Sequence, residues 1–537
     1  MYHLREVLRS SRRSCLGAAL ILVFAAGQVW SQSGHEGRYK GRWMAGDFHT
    51  HTFLTDGDHT QSDVVAHAFG GSYHANGTAV SVPGFGLDWM ANSEHGGAYA
   101  RNPQGLNWPA GTTFLGDPPA GNMWRWQSLR DYSYPLISLL RGVYPRKVIV
   151  QGYEWNVPTH EHASVGIVGA SEAAGSAIAR YEYLFDGSDA GTTSDSFLGV
   201  TGKVAANSHA KAVAGAGWLQ NNYQQSSYFL LNHPSRRLRY SVADIRDFNN
   251  AAPDVAFGFE GLPGHQKEPY RGGYGNDLGA NTYKARTYGG ADYMVAKVGG
   301  LWDSLLGEGR HFWTFVNSDF HSSTADADFY PGEYAKSYTF VVDREDDGRY
   351  SPEELVAGLR SGNSFAVHGD LINVLEFTAQ SGDSEAAMGQ DLELSRPGNL
   401  KIKIRFKSPA VNAHGNHVRI DHIDLIAGEI TGRVSPDDPA YSADTNPTTG
   451  VIAAFRPSDW ETEEGGWSTI VYHLSGVDKN TYFRLRCTNL APDTANETDA
   501  AGNPLVDVDN ANTEAAAWAD LWFYSNPIFV YRNVHEQ

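Results

Sequence analysis

Between about residues 43 and 370, short apolar runs alternate with helical or glycine-rich stretches, a βα rhythm. Five of the runs share one feature. "FGLDWMANSEHGG", "KVIVQGYEWN", "SYFLLNHPSR", "VAFGFEG" and "FWTFVNSDFHSS" are each apolar until they close on His, Glu or Asp. Barrels and open α/β sheets carry their chemistry at the carboxyl ends of their strands, and core packing does not account for a polar terminus repeated in this way. "SPEELVAGLRSGNSF" then predicts a helix, with Ser351 as N-cap and Glu354 at the capping-box position. From about residue 371 the texture changes to "NVLEFTAQ", "NLKIKIRFKSP", "HVRIDHIDLIAGE", "GVIAAFRP", "WSTIVYHLSG", "TYFRLRCTN" and "NPIFVYR", separated by loops rich in Asp, Asn, Pro and Gly. These runs predict an all-β sandwich over 371–537, with a supporting or interface role.

At 537 residues the chain exceeds what one core usually spans. Its 41% hydrophobic and 19% charged residues are those of a folded globular protein. Residues 1–32 read as a signal peptide: Arg5, Arg9, Arg12 and Arg13 precede the apolar "CLGAALILVFAAG". That run is short for a membrane span, so the expectation is a secreted or periplasmic protein with no stable membrane anchor after cleavage. The formal net charge of −19 becomes about −22 once those residues are removed. With no basic run beyond the N-terminus, neither nucleic acid nor an anionic membrane surface is an expected partner. Cys15 lies in the signal, which leaves Cys487 without an intrachain partner and places it in a buried strand.

The chemistry starts at "GDFHTHTFLTDGDHT". On a strand, His49 and His51 point to the same side and can aim two imidazoles at one metal ion. Collected from the strand ends, the candidate ligands are His49, His51, Asp56, His95, Glu154, His162, His233, Asp319 and His321. The motifs "DFHTHTFLTDG", "SEH", "GYEWNVPTHEHASVG", "NHP" and "NSDFH", in that order, resemble the metal motifs of the PHP (polymerase and histidinol phosphatase) superfamily. "WDSLLGEGRHFWTFVNSDFH", "ELVAGLRSGNSFAVHGDLI" and the trailing "SNPIFV" look like its carbaryl-hydrolase (CehA/McbA-like) branch.

That resemblance implies a distorted (β/α)7 barrel over residues 43–370. It also implies about two to three divalent transition metals, manganese, iron or zinc. Carried over residue by residue, His49, His51, Glu154 and Asp319 hold one metal, and Glu154 bridges to a second held also by His162 and His233. Asp56, His95 and His321 hold a third. Glu154, Asp319 and His321 are the catalytic assignments. The chain departs from the family in having Ser93-Glu94 before His95, where Thr-Asp is common. His160 is an alternative to His162 as ligand, whereas His59, His67 and His74 read as solvated loop histidines. Glu260 ends a strand and either lines the site or supports it. Arg236 and Arg237, after the HP motif, either bind an anionic substrate group or lie at the surface. Trp124, Trp126, Tyr153 and Trp155 fit core packing or a pocket wall.

"DREDDGRYSPEE" places Asp343, Glu345, Asp347, Gly348, Ser351 and Glu354 at the spacing of an EF-hand loop. It reads as a calcium loop or as a charged turn into a capped helix. No "GxSxG" elbow and no usable thiol supplies a nucleophile, so the expected mechanism is attack by hydroxide generated between the metals. The first functional expectation is a secreted metal-dependent phosphoesterase acting on a small-molecule or polymer ester. The alternatives are a carbamate, ester or amide hydrolase and, from another class, a metal-stabilised cell-surface or polysaccharide-binding protein.

Overall fold

The computed structural model describes residues 40–75, 77–169, 172–273, 283–323, 328–394, 398–508 and 513–532. Residues 1–32, expected to be a signal peptide, lie outside the described residues. No helix among the described residues is long and apolar enough to cross a membrane.

The apolar runs of the first part form strands β1 (Lys40–Asp47), β2 (Trp89–Asn92), β3 (Val148–Asn156), β4 (His162–Ile167), β5 (Ser227–Leu231), β6 (Gly258–Leu262), β7 (Trp313–Val316), β8 (Ala335–Asp343) and β9 (Ser364–His368). β2, β5, β6 and β7 are buried throughout, as expected of strands covered on both faces. They belong to a mixed α/β architecture built on one sheet of 15 strands. Its order is β7-β6-β5-β4-β3-β2-β1-β8-β9, continuing through Trp522–Ser525, Thr481–Thr488, His422–Glu429 and Gly450–Phe455.

Directions within the sheet decide where chemistry collects. β1, β2 and β3 run parallel to one another, as do β5, β6 and β7, and β4 is antiparallel to both neighbours. The carboxyl ends of six strands and the start of β4 therefore share one edge. The sheet also curls back on itself. Thr50, just past β1, bridges Phe320, just past β7, and the His51 N–H donates to the Phe320 carbonyl at 2.8 Å. Phe48 packs against Trp89, Tyr228 and Phe315 with ring centroids 5.5–6.1 Å apart, which fixes the turn that follows.

Helices cover the outside for local reasons. Val242–Ala251 starts on a Ser241–Asp244 capping box and buries Val242, Ile245 and Phe248. Pro352–Ser361 has the predicted Ser351–Glu354 capping box and ends on Gly362 in the left-handed conformation.

All seven apolar stretches after residue 371 form strands. A second sheet of five strands contains Val374–Ser381, Gly398–Lys407 and Ser468–Val477. The change of texture near 371 does not interrupt the large sheet, since Phe365, Ala366 and Val367 of β9 pair with Ser525, Tyr524 and Phe523. Buried ion pairs tie the same regions together. Arg484 holds Asp303 through two contacts of 2.8 and 2.7 Å, and Arg271 pairs with Asp520. Cys487 is buried in the strand Thr481–Thr488.

Candidate metal centre

The nine strand-end residues converge on the shared edge. Glu154 sits in β3 between Tyr153 and Trp155, so strand alternation sends those two rings to the other face. There Trp155 meets Tyr181 and Phe229 edge-on. Both rings are buried, as are Trp124 and Trp126, which makes all four core residues.

The Glu154 carboxylate is the hub. Its Oε1 lies 3.1 Å from His49 Nε2, 3.1 Å from His162 Nδ1 and 3.3 Å from His233 Nε2. Its Oε2 lies 2.8 Å from His95 Nδ1 and 3.4 Å from His51 Nε2. Asp319 Oδ1 is 2.9 Å from His49 Nε2 and 3.4 Å from His51 Nε2. At the mouth, Asp56 Oδ2 is 3.2 Å from His95 Nε2 and 3.6 Å from His321 Nε2, and the His321 ring stacks on His51 at 4.0 Å.

Donor atoms close enough to share an ion fall into sets. These are His49, His51 and Asp319; His49, Glu154 and His233; His95, Glu154 and His162; and His51, Asp56, His95 and His321. His95 thus stands between Glu154 and Asp56. A mixed N/O donor set without thiolate suits first-row transition metals. Glu154 Oε2 and His95 Nδ1 are buried and have only each other as a close polar partner, at 2.8 Å. The clusters are suited to metal binding.

Neighbouring side chains orient this set. Glu260 Oε2 lies 3.3 Å from His49 Nδ1 and accepts the His233 N–H at 2.9 Å, so Glu260 supports two ring positions from behind. Asp47 accepts the N–H groups of His49 and Ser318 at 2.9 and 2.8 Å, and Asn232 donates to Glu154 Oε1 at 2.9 Å. Glu94 points elsewhere, accepting from Thr52 and Thr55 and bracing the loop that carries Asp56. His233, His265 and Asp319 have φ of 28°, 58° and 48°, a region costly for side-chain-bearing residues and typical of functional sites.

The electrostatics follow from burial and proximity. Burial pushes the Glu154 carboxyl up, but His162, His49 and His95 outweigh it and hold it well below the usual carboxylate range. Asp319 is likewise held low, with burial opposed by His49 and His265. Burial depresses His49, yet Asp319, Glu154 and Glu260 raise it well above the ordinary imidazole value. His51 falls to about 3, through burial and then the neighbouring His321.

His265 is the residue that sequence reasoning missed. Its Nε2 lies 3.0 Å from Asp319 Oδ2, its Nδ1 lies 2.7 Å from Asp328 Oδ1, and its ring is 5.1 Å from His321. Gly264 makes the approach possible, because a Cβ there would stand 2.1 Å from the Ser318 carbonyl oxygen. The available signal was the polar tail of "FGFEGLPGH", which resembles the other strand ends.

Other candidates lie apart from the hub. Arg236 is buried, with Nη1 3.0 Å from Asp319 Oδ2, while Arg237 is exposed and 3.8 Å from Glu161. His160 stacks on Tyr240 and faces His209. His59 and His67 both pair with Asp63, His67 from within the helix Gln61–Phe69 and not from a loop, and His74 is exposed on a strand. In the EF-hand-like stretch, Asp343 accepts the N–H groups of Asp347 and Gly348, and Glu354 accepts those of Arg344 and Ser351. Glu345 and Asp347 are exposed.

No family model matches the chain, and no curated protein matches it. Among solved structures it is similar to a two-domain protein containing a predicted PHP-like metal-dependent phosphoesterase from Bacteroides vulgatus ATCC 8482. The identity is 11% and the TM-score 0.31, over 89% of this chain and 99% of that one. A likeness this distant does not assign a function.

Proposed function

We propose that the protein is a multinuclear metal-dependent hydrolase of the PHP type, acting on phosphoesters at the edge where six of the strands β1–β7 end and β4 begins. One observation carries the reading: the Glu154 carboxylate stands within 3.4 Å of five imidazoles from four chain segments. The curl that brings Thr50 to Phe320 supports reading the seven strands as a distorted (β/α)7 barrel. Divalent cations, when bound, acidify a coordinated water and polarise the bond to be cleaved.

The chain's own residues do the rest. His49, His51, His233, Glu154 and Asp319 are buried and form a rigid floor that fixes donor positions before substrate arrives. Half-buried His95, His162 and His321, with Asp56 half exposed (51%), line the open side through which an ester would enter. Among the ligands only Glu154, Asp319 and Asp56 carry charge, so two divalent cations already leave the centre positive. A positive centre favours a phosphoester anion over a neutral carbamate. Carboxylic esters and carbamates remain the alternative substrates.

The test is elemental analysis of the purified protein together with rates on chromogenic phosphoesters, carboxyl esters and carbamates. Phosphoester turnover that chelation abolishes is the expected result. Full activity in protein without metal would overturn the reading.

A further inference from the structure

His160 belongs to a separate cluster that the hydrolase site does not use. Its ring lies flat on Tyr240, with centroids 5.3 Å apart and planes 4° apart, and meets Phe248 edge-on. His209, the first residue of the helix His209–Tyr223, also packs on Phe248. The two imidazoles are therefore held in place by aromatic contacts.

Hydrogen bonds then fix their tautomers. His160 Nδ1 lies 2.8 Å from the Arg239 carbonyl oxygen, which can only accept, so the Nδ1 proton stays there. His209 Nε2 lies 3.0 Å from the Asp247 carboxylate, which places the other ring's proton on Nε2. The two remaining nitrogens, His160 Nε2 and His209 Nδ1, face each other at 2.9 Å. In neutral rings both carry lone pairs, and two lone pairs at that distance repel unless a proton lies between them or a metal ion sits beside them. Asp244 supplies a third donor. Its Oδ2 is committed to Ser241, whereas its Oδ1 stands 3.5 Å from His209 Nδ1.

We propose that His160 Nε2, His209 Nδ1 and Asp244 Oδ1 form a second metal site, for a zinc- or copper-class dication, with water completing the shell. Two imidazoles and one carboxylate make the donor set of such ions. Each imidazole already has the oxygen partner behind it that metal-bound histidines use. Each of the three residues offers a donor atom close enough to those of the other two to share one ion. Partial exposure of His209 and Asp244 gives the ion a route in. An ion there would pin the turn between β3 and β4 to the helices His209–Tyr223 and Val242–Ala251.

The experiment measures zinc stoichiometry and affinity by elemental analysis and calorimetry, on the full mature chain. His209→Gln should bind one zinc fewer than wild type, and the same difference should persist in a Glu154→Gln background. Asp247→Asn, at a partly exposed position where the amide oxygen can still accept from Tyr441, should weaken that one zinc about 10- to 100-fold. Unchanged stoichiometry in His209→Gln, or unchanged affinity in Asp247→Asn, would mean that the imidazoles share only a proton and would overturn the proposal.

Discussion

Glu260 Oε2 lies 3.3 Å from His49 Nδ1, on the opposite side of the ring from the Nε2 that meets Glu154. Both residues are fully buried, so the carboxylate fixes which imidazole nitrogen faces the cluster. Glu260→Gln keeps the shape but presents a weaker acceptor or an N–H to the ring. Metal affinity should fall about 10- to 100-fold with little change in thermal stability, as measured by calorimetric titration. Unchanged affinity would make Glu260 a packing residue.

A chain ending at residue 370 should not fold to a stable monomer. It would strip β9 of its partner strand Trp522–Ser525 and leave Asp303 and Arg271 buried without Arg484 and Asp520. In the full chain, Arg484→Met should cost about 3–5 kcal/mol, because the Asp303 charge stays behind uncompensated. Chemical denaturation reads the cost. A soluble, cooperatively unfolding 1–370 fragment would show that the two parts are energetically independent.

Glu354 accepts backbone N–H groups with both carboxylate oxygens. Glu354→Ala should therefore lower stability by about 1 kcal/mol through loss of the helix cap, and added calcium should leave the melting temperature of the wild type unchanged. A calcium-dependent rise that Glu354→Ala abolishes would restore the EF-hand-like reading of this loop.

Much of the candidate site was legible because the residues that converge there are encoded locally. His49 and His51 follow directly on β1, spaced two apart in an extended stretch held by the Thr50–Phe320 bridge, and His95, Glu154, His233 and Asp319 each follow or sit in an apolar run that periodicity reveals. His265 was not legible, because its position depends on a left-handed turn after β6 and on Gly264 lying against Ser318. Glu94 could not be placed either, since Thr52 and Thr55 turn it away from the cluster only once the loop has folded. Similarly, "LWFYSNP" carries no sign that it pairs with "NSFAVHG" more than 150 residues earlier. Long-range register is set by tertiary packing, which no local pattern records.

The most direct measurement is metal occupancy together with phosphoester turnover in Glu154→Gln. The substitution keeps size and one acceptor oxygen but removes the charge that five surrounding imidazoles share. Occupancy should drop, and turnover should fall by several orders of magnitude, as for loss of a site that activates water. Near-normal metal content and rate in this variant would contradict the account, and would make Glu154 a structural carboxylate inside a histidine-rich fold.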